Sequence, residues 1–152
     1  MHSITLRFMA ASGASSASGR IQGGAVLLWV DEAGLACASA WAHCACVTAF
    51  MGGASFLRPV RSGDLVEVEA RLAYTGSSSM SMAVEVRAGS IQDRDLQPVT
   101  HCVVVYAAVD DDGQPRAVDA WTPETPGDIA LAQRVKAHID AARAAQIGRA
   151  HV

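Results

Sequence analysis

A pair of glycines and one aspartate in this chain of 152 residues have the spacing needed for acyl-transfer chemistry. Gly23 and Gly24 precede a long apolar run, and Asp31 follows Gly24 by seven residues. If the run is a helix, seven residues make about two turns, so Gly24 and Asp31 share a face. The first N–H groups of a helix lack helix partners and carry partial positive charge, which suits a carbonyl oxygen that becomes negative. Asp31 could then serve as a general base or as a nucleophile, and the sequence leaves both roles open.

The apolar run itself predicts a helix from the glycine pair to about His43. Because the run is apolar on nearly all sides, we expect other structure to wrap it. Gly34 lies inside the helix, where glycine is less favourable than alanine, so we expect a close backbone contact there. Asp31 and Glu32 interrupt the apolar stretch, which disfavours a membrane span.

Alternation of apolar and polar residues predicts several strands around this helix, with Met80 and Met82 filling the core. The predicted strands are Ser3–Met9, Cys44–Met51 with a break or bulge at Gly52 and Gly53 and a continuation over Ala54–Leu57, Val66–Leu72, Ser79–Arg87 and Val99–Val109. A second helix is predicted over Asp128–Ala145. The pattern indicates an α+β fold in which a curved antiparallel sheet wraps a long central helix, with an extra C-terminal helix. We expect one domain over residues 1–122 and a helical extension over residues 123–152.

Composition limits the partners and the compartment. Charged residues make up 18% of the chain and the formal net charge is −3, so nucleic acid is not an expected partner. The four cysteines form no C-x-x-C pair and have no zinc-like spacing, so we expect reduced, buried thiols and a cytoplasmic protein. The N-terminus shows no basic region followed by an apolar run, so no signal peptide is expected.

Four sequence blocks, in this order along the chain, carry a resemblance to a known family. They are Gly19–Gly34 (G-x-x-x-G-G…D-x-A-G), Phe56–Val66 (with F-L-x-P-V-x-x-G-D), Tyr74–Met80 and Val105–Pro115. Together they span about residues 8–120, and no single block is specific. Their order resembles that of the hotdog-fold acyl-CoA thioesterases, the cytosolic acyl-CoA thioester hydrolases.

The resemblance implies a fold, an assembly and an activity. It implies a homodimer whose sheets join edge to edge, often assembled into a hexamer as a trimer of dimers, with active sites between subunits. It implies hydrolysis of acyl-CoA to a free fatty acid and CoA, with no cofactor beyond the CoA of the substrate and no metal. Asp31 stands at the family's catalytic carboxylate, and Gly24 with Gly23 at the helix start that polarises the thioester carbonyl. Ser16 replaces the family's usual asparagine and would orient the water, while Gln22 replaces a histidine or aromatic residue.

Other polar residues are candidates for substrate contacts. Thr48 and Ser79 are expected to line the site. Arg58, Arg61 and Arg87 are expected to contact the CoA phosphates, although spacing does not choose among them. His43 suits the negative end of the central helix, and His101 a surface or interface position.

Three other interpretations stand beside that of a catalytic acyl-CoA thioesterase. Asp31 could be a buried structural acid paired with an arginine, or an acid that lies at a solvated seam. The chain could be a non-catalytic acyl-CoA-binding or sensing module of the same fold. A dehydratase of this fold is disfavoured, because that chemistry uses an Asp–His pair and no histidine follows Asp31 closely.

Overall fold

The computed structural model describes residues 2–11, 15 and 17–150, without the side chains of residues 146–150. Ser16 therefore lies outside the described residues. Within the described part the chain forms five strands and two helices. They are β1 (Ser3–Met9), α1 (Gly23–Ala42), β2 (Cys46–Gly52), β3 (Leu65–Thr75), β4 (Ser79–Gly89), β5 (Gln97–Ala108) and α2 (Pro126–Ala150).

The strands form one antiparallel sheet in the order β1-β3-β4-β5-β2. In β3, alternate side chains from Val66 to Leu72 are buried in the core that contains α1. Met80 and Met82 of β4 join that core, as the alternation predicted. The α+β fold with a central helix is thus confirmed, and β1 has the bounds expected for it.

Helix α1 packs one of its faces against the sheet and leaves the other open. Val26, Val30 and Ala33 are among its buried residues, whereas Leu28 is 57% exposed and Glu32 is also exposed. Within one copy, other structure therefore covers only part of the surface of this helix. The helix is long and apolar enough to cross a membrane by length and composition alone, a property that the core helix of a globular protein shares.

Helix α2 covers the opposite face of the sheet. Leu131, Val135 and Ile139 form a second buried cluster with residues of β3 and β5. Arg71 of β3 and Asp128 of α2 form a salt bridge of 3.0 Å beside it. The helix begins two residues earlier and ends five later than expected. The division into a domain over 1–122 and an extension over 123–152 stays a prediction.

The expected continuation of β2 over Ala54–Leu57 is wrong. The chain leaves the sheet at Gly53, whose φ of 79° is a left-handed conformation that favours glycine. Leu57 keeps one backbone hydrogen bond to the sheet, from its N to the carbonyl oxygen of Val99 at 2.8 Å. One positive-φ residue therefore converts the end of the apolar stretch into a loop that runs toward the start of α1.

The cysteines match their expectation in part. All four are free, and Cys37 and Cys102 are buried. Burial raises the pKa of the Cys37 thiol to about 11, so this thiol packs as a neutral apolar group at physiological pH. Cys44 and Cys46 are only half-buried, at the connection between α1 and β2.

The packing of α2 on the sheet can be tested with two isoleucines of the same helix. Ile139 is 1% exposed and Ile129 is 42% exposed. Ile139→Ala should lower the free energy of unfolding by about 2–5 kcal/mol, because it opens a cavity in the second core. Ile129→Ala, the matched control, should change it by less than about 1 kcal/mol. Urea unfolding at one fixed protein concentration measures both, and equal effects would show that α2 does not pack as described.

Candidate active site

Asp31 is held in place through one of its two carboxylate oxygens. Its Oδ1 accepts a hydrogen bond from Thr48 Oγ1 at 2.8 Å and another from the Tyr106 hydroxyl at 3.0 Å. Among the described residues, Oδ2 has no hydrogen-bond partner and no arginine pairs with this carboxylate. The structural ion pair considered for Asp31 is therefore not what the described residues form. One oxygen is fixed, and the other is free to meet a water molecule or a substrate.

Two neighbouring strands supply the groups that hold Asp31. Thr48 of β2 and Tyr106 of β5 are register partners, so their side chains point to the same face, toward α1. The register shifts immediately after Thr48, between Thr48 and Phe50. Thr48 is exposed and Tyr106 is fully buried. The hydroxyl pair thus reaches Asp31 from the core on one side and from the protein surface on the other.

The Tyr106 hydroxyl is a neutral donor. Burial, and then the charge of Asp31, raise its pKa well above the ordinary value for tyrosine. The same hydroxyl lies 3.2 Å from the main-chain carbonyl oxygen of Asp31. The close contact expected at Gly34 is present here, because a Cβ on Gly34 would collide with the Tyr106 hydroxyl and lie 2.8 Å from two carbons of its ring.

The start of α1 presents backbone N–H groups that have no partner among the described residues. Gln22 is the N-cap, and its carbonyl oxygen accepts the amide of Ala25 at 3.0 Å. The amides of Gly23 and Gly24 donate no hydrogen bond to any described residue. A Cβ added to Gly24 would meet nothing within 4 Å, and one on Gly23 would lie 3.4 Å from the Phe56 ring. The helix start therefore has room for a carbonyl oxygen beside Gly24.

A cavity of about 380 Å³ adjoins this helix start. Its apolar lining includes Val26, Val60 and Val99. Arg20 and Arg58 also line it, and the Arg58 Nε donates to the carbonyl oxygen of Pro98 at 2.9 Å. The cavity thus joins a helix N-terminus, an apolar floor and two cations. Arg20 was not among the arginines that the sequence analysis selected.

Two of the predicted substrate residues lie away from Asp31. Strand alternation places Ser79 on the face opposite Met80, where its hydroxyl lies against Gly76. Arg87 forms a 2.9 Å hydrogen bond with Glu85, which raises the pKa of its guanidinium, and lies 3.8 Å from Glu67. These contacts tie Arg87 to its strand neighbours.

The remaining candidates are placed as follows. The Arg61 amide is bound in a turn to Asp64 Oδ2 at 2.8 Å, and Arg61 does not line the 380 Å³ cavity. His43 caps the end of α1 with a φ of 56°. His101 is exposed on β5 and lines another cavity, of about 470 Å³, between α2 and the outer face of the sheet. That cavity is larger, but it holds none of the acyl-transfer candidates. Within the described residues, no group of three or more His, Cys, Asp or Glu side chains could hold a metal ion.

Gly24 and Asp31 of one chain cannot act on one carbonyl carbon. Seven residues of helix rise by about 10 Å, whereas a reacting atom must lie about 3 Å from its catalytic groups. The arrangement inferred from sequence spacing alone is therefore wrong within a single copy. The sequence analysis also expects an active site between subunits. Such a site does not require Gly24 and Asp31 of the same chain to lie close together.

Comparison with known proteins identifies the family. A sequence model of the thioesterase superfamily matches residues 18–93. The acyl-CoA thioester hydrolase YciA of Salmonella typhimurium is 34% identical over 116 residues, which are 74% of this chain and 87% of that protein. The chain belongs to the thioesterase superfamily. The family resemblance inferred from the four sequence blocks is thereby confirmed.

Solved structures confirm the fold. The hexameric thioesterase y2039 of Yersinia pestis is 35% identical, with a TM-score of 0.70, over 75% of this chain and 93% of that one. An acyl-CoA hydrolase of Staphylococcus aureus, solved with butyryl coenzyme A, coenzyme A and coenzyme A disulfide, is 21% identical. Its TM-score is 0.87, over 98% of this chain and 91% of that one. The S. aureus hydrolase has also been solved as three alanine variants: of an aspartate, of a threonine seventeen positions after it, and of an asparagine fifteen positions before it.

Sequence reasoning missed Tyr106 as a member of the candidate site. The residue lies inside the fourth sequence block, but the motif does not say which strand it pairs with. Its position 75 residues after Asp31 gives no local signal. The available signal was Gly34, a glycine inside a helix that requires a large partner at close range.

The contact between Gly34 and Tyr106 can be tested by substitution. Alanine in a helix interior is ordinarily more favourable than glycine by about 1 kcal/mol. At Gly34 the added methyl group would meet a buried ring, so Gly34→Ala should lower the free energy of unfolding by about 1–3 kcal/mol. Gly127→Ala is the control, since a Cβ there meets nothing within 4 Å. Urea unfolding decides the sign, and a Gly34→Ala protein as stable as the control would refute the contact.

Proposed function

We propose that the protein hydrolyses acyl-CoA thioesters to a free acid and CoA. The observation that carries this proposal is the carboxylate of Asp31, in a chain of the thioesterase superfamily: Oδ1 is fixed, and Oδ2 has no hydrogen-bond partner in the described part of the chain. Thr48 follows Asp31 by seventeen positions, the spacing of the aspartate and threonine replaced in the S. aureus hydrolase. Ser16 precedes Asp31 by the fifteen positions that separate that aspartate from its asparagine.

Hydrolysis needs an attacking oxygen and a place for negative charge. As a base, Oδ2 of Asp31 takes a proton from water while the water oxygen bonds to the thioester carbon. As a nucleophile, Oδ2 attacks that carbon itself, and water then cleaves the anhydride that forms. In both routes the C–S bond breaks and the CoA thiolate takes up a proton. The amide of Gly24 donates to the carbonyl oxygen as it becomes negative, an interaction worth about 3–4 kcal/mol of barrier.

Two copies of the chain bring these groups together. If two α1 helices lie antiparallel with Gly24 of each copy opposite Asp31 of the other, the centre of symmetry falls between Leu27 and Leu28. Leu28 is an exposed large apolar residue of this helix, and the centre of a symmetric contact would bury it. The hexameric assembly of the Y. pestis relative supports such an association. We therefore place the active site between two subunits, in a dimer that can assemble further.

The CoA part of the substrate would enter at the cavity beside the helix start. Arg20 and Arg58 there provide positive charge for phosphates, and the apolar floor suits the uncharged part of the ligand. We propose no additional cofactor. We propose a cytoplasmic location, which the four free thiols support.

The role of the Gly24 amide can be separated from folding by a matched pair of substitutions. Gly24 and Gly127 are each the second residue of a helix, and a Cβ at either meets nothing within 4 Å. Gly24→Ala should lower kcat/KM for acyl-CoA about 100-fold or more, because the methyl group covers an amide that the substrate oxygen needs. Gly127→Ala should leave kcat/KM unchanged. Both should unfold at or above the wild-type temperature, so loss of stability cannot explain the difference.

The role of Asp31, and its action across two subunits, can be tested together. Asp31→Asn keeps the size of the side chain and an acceptor for Thr48 and Tyr106, but it cannot take a proton. Thiol release from acyl-CoAs of several chain lengths should fall at least ~100-fold. Co-expression of Asp31→Asn with Gly24→Ala should restore activity to about a quarter of wild type. Random pairing makes about half of the dimers mixed, and one of the two sites in each mixed dimer is intact.

Two controls make the outcome unambiguous. Each variant expressed alone gives the baseline, and pull-down through different affinity tags on the two variants shows that mixed assemblies form. No recovery in mixed assemblies would place Gly24 and Asp31 in separate roles and reject the two-subunit site. Near-full activity of Asp31→Asn would reject the catalytic role of Asp31, and a wild type that binds acyl-CoA without cleaving it would reject the proposed function.

A further inference from the structure

We infer that Tyr106 is a positioning residue for the reaction, which selects Oδ2 of Asp31 as the reacting oxygen. The inference rests on the proposed function, since it concerns the same carboxylate. Its starting point is the contact between a fully buried phenol and a half-buried carboxylate that faces the site. The phenol is fully buried, so it acts through Asp31 rather than by direct contact with a substrate.

The Tyr106 hydroxyl contacts Asp31 at two atoms. It lies 3.0 Å from Oδ1 and 3.2 Å from the main-chain carbonyl oxygen of the same residue. A phenol has one hydrogen, and the charged oxygen is the stronger acceptor, so the hydrogen bond goes to Oδ1. The main-chain carbonyl oxygen of Asp31 lies in contact with the same hydroxyl, so the helix backbone is also close to the phenol. Side chain and backbone of Asp31 are therefore both positioned against β5.

Thr48 alone would hold Asp31 less firmly. Thr48 is exposed on the edge strand β2, which pairs only with β5 among the described strands. Tyr106 lies in the core, and its ring rests on the backbone of Gly34, three residues after Asp31. The buried donor thus sets the orientation, and the exposed donor completes the coordination of the same oxygen. With both donors on Oδ1, a bond to water or substrate falls to Oδ2.

This arrangement predicts a specific kinetic effect for the loss of one hydroxyl. Tyr106→Phe keeps the ring and its packing but removes the donor. The carboxylate can then rotate, so that either oxygen accepts the Thr48 hydrogen bond and Oδ2 is no longer always the oxygen that faces the substrate. We expect kcat for acyl-CoA hydrolysis to fall about ten- to hundredfold while KM changes less than about twofold. Tyr74→Phe is the matched control: Tyr74 packs in the cluster on the other face of the sheet, and its variant should keep the wild-type kcat.

Two further measurements distinguish positioning from general structural damage. Replacing Tyr106 with p-aminophenylalanine restores a donor at the same ring position and should recover most of the lost kcat. Thr48→Val combined with Tyr106→Phe should lower kcat by more than the product of the two single effects, because each remaining donor partly compensates for the other.

The outcomes separate this inference from the function on which it rests. Full kcat in Tyr106→Phe, together with an inactive Asp31→Asn, would overturn the positioning role and leave the thioesterase proposal intact. A Tyr106→Phe protein that p-aminophenylalanine does not rescue, or whose effect multiplies simply with that of Thr48→Val, would also overturn it. Activity retained in Asp31→Asn would overturn both.

Discussion

The contact of the Tyr106 hydroxyl with the helix turn from Asp31 to Gly34 is the constraint on which the candidate site depends. It joins the central helix to β5, the strand beside the edge strand β2, at the point where the carboxylate leaves the core. Glycine is required on the helix, because any Cβ at Gly34 meets the ring. A protonated phenol is required on the strand, and burial supplies it by raising the pKa of Tyr106. Packing and electrostatics therefore support the same orientation of Asp31.

The sequence predicted the elements well where local periodicity decides them. The alternation in Ser3–Met9 and the long apolar run after Gly23 both gave elements close to those observed. The prediction for Ala54–Leu57 was wrong, because apolar content does not reveal that Gly53 adopts a positive φ and turns the chain out of the sheet. Position in a strand is therefore set partly by single backbone conformations that composition does not encode.

The candidate site was predictable only in part, and for a similar reason. Gly24 and Asp31 lie within one helix and one motif, so both could be selected as candidates from local sequence, although their spacing did not show that they lie about 10 Å apart along that helix. The pairing of Thr48 with Tyr106 depends on strand register between distant segments, which no local pattern specifies. The placement of Ser79 was readable: the alternation that puts Met80 and Met82 in the core puts Ser79 on the other face. The side-chain parity of β4 was not applied when Ser79 was selected, and its part in the site stays a prediction.

The open face of α1 connects the fold to the proposed two-subunit site. Only 33% of the apolar stretch of this helix is buried within one chain. The exposed apolar surface that remains is typical of a contact with another molecule. A membrane is a poor cover, because Asp31 and Glu32 lie near the middle of the helix and a charge at that depth costs several kcal/mol. A second copy of the same helix covers Leu28 without burying Asp31 in hydrocarbon. The antiparallel register that centres Leu28 also removes the separation of about 10 Å between Gly24 and Asp31, since each glycine then faces the carboxylate of the other copy. The apolarity of the helix and the spacing of its two chemical groups thus have one common explanation.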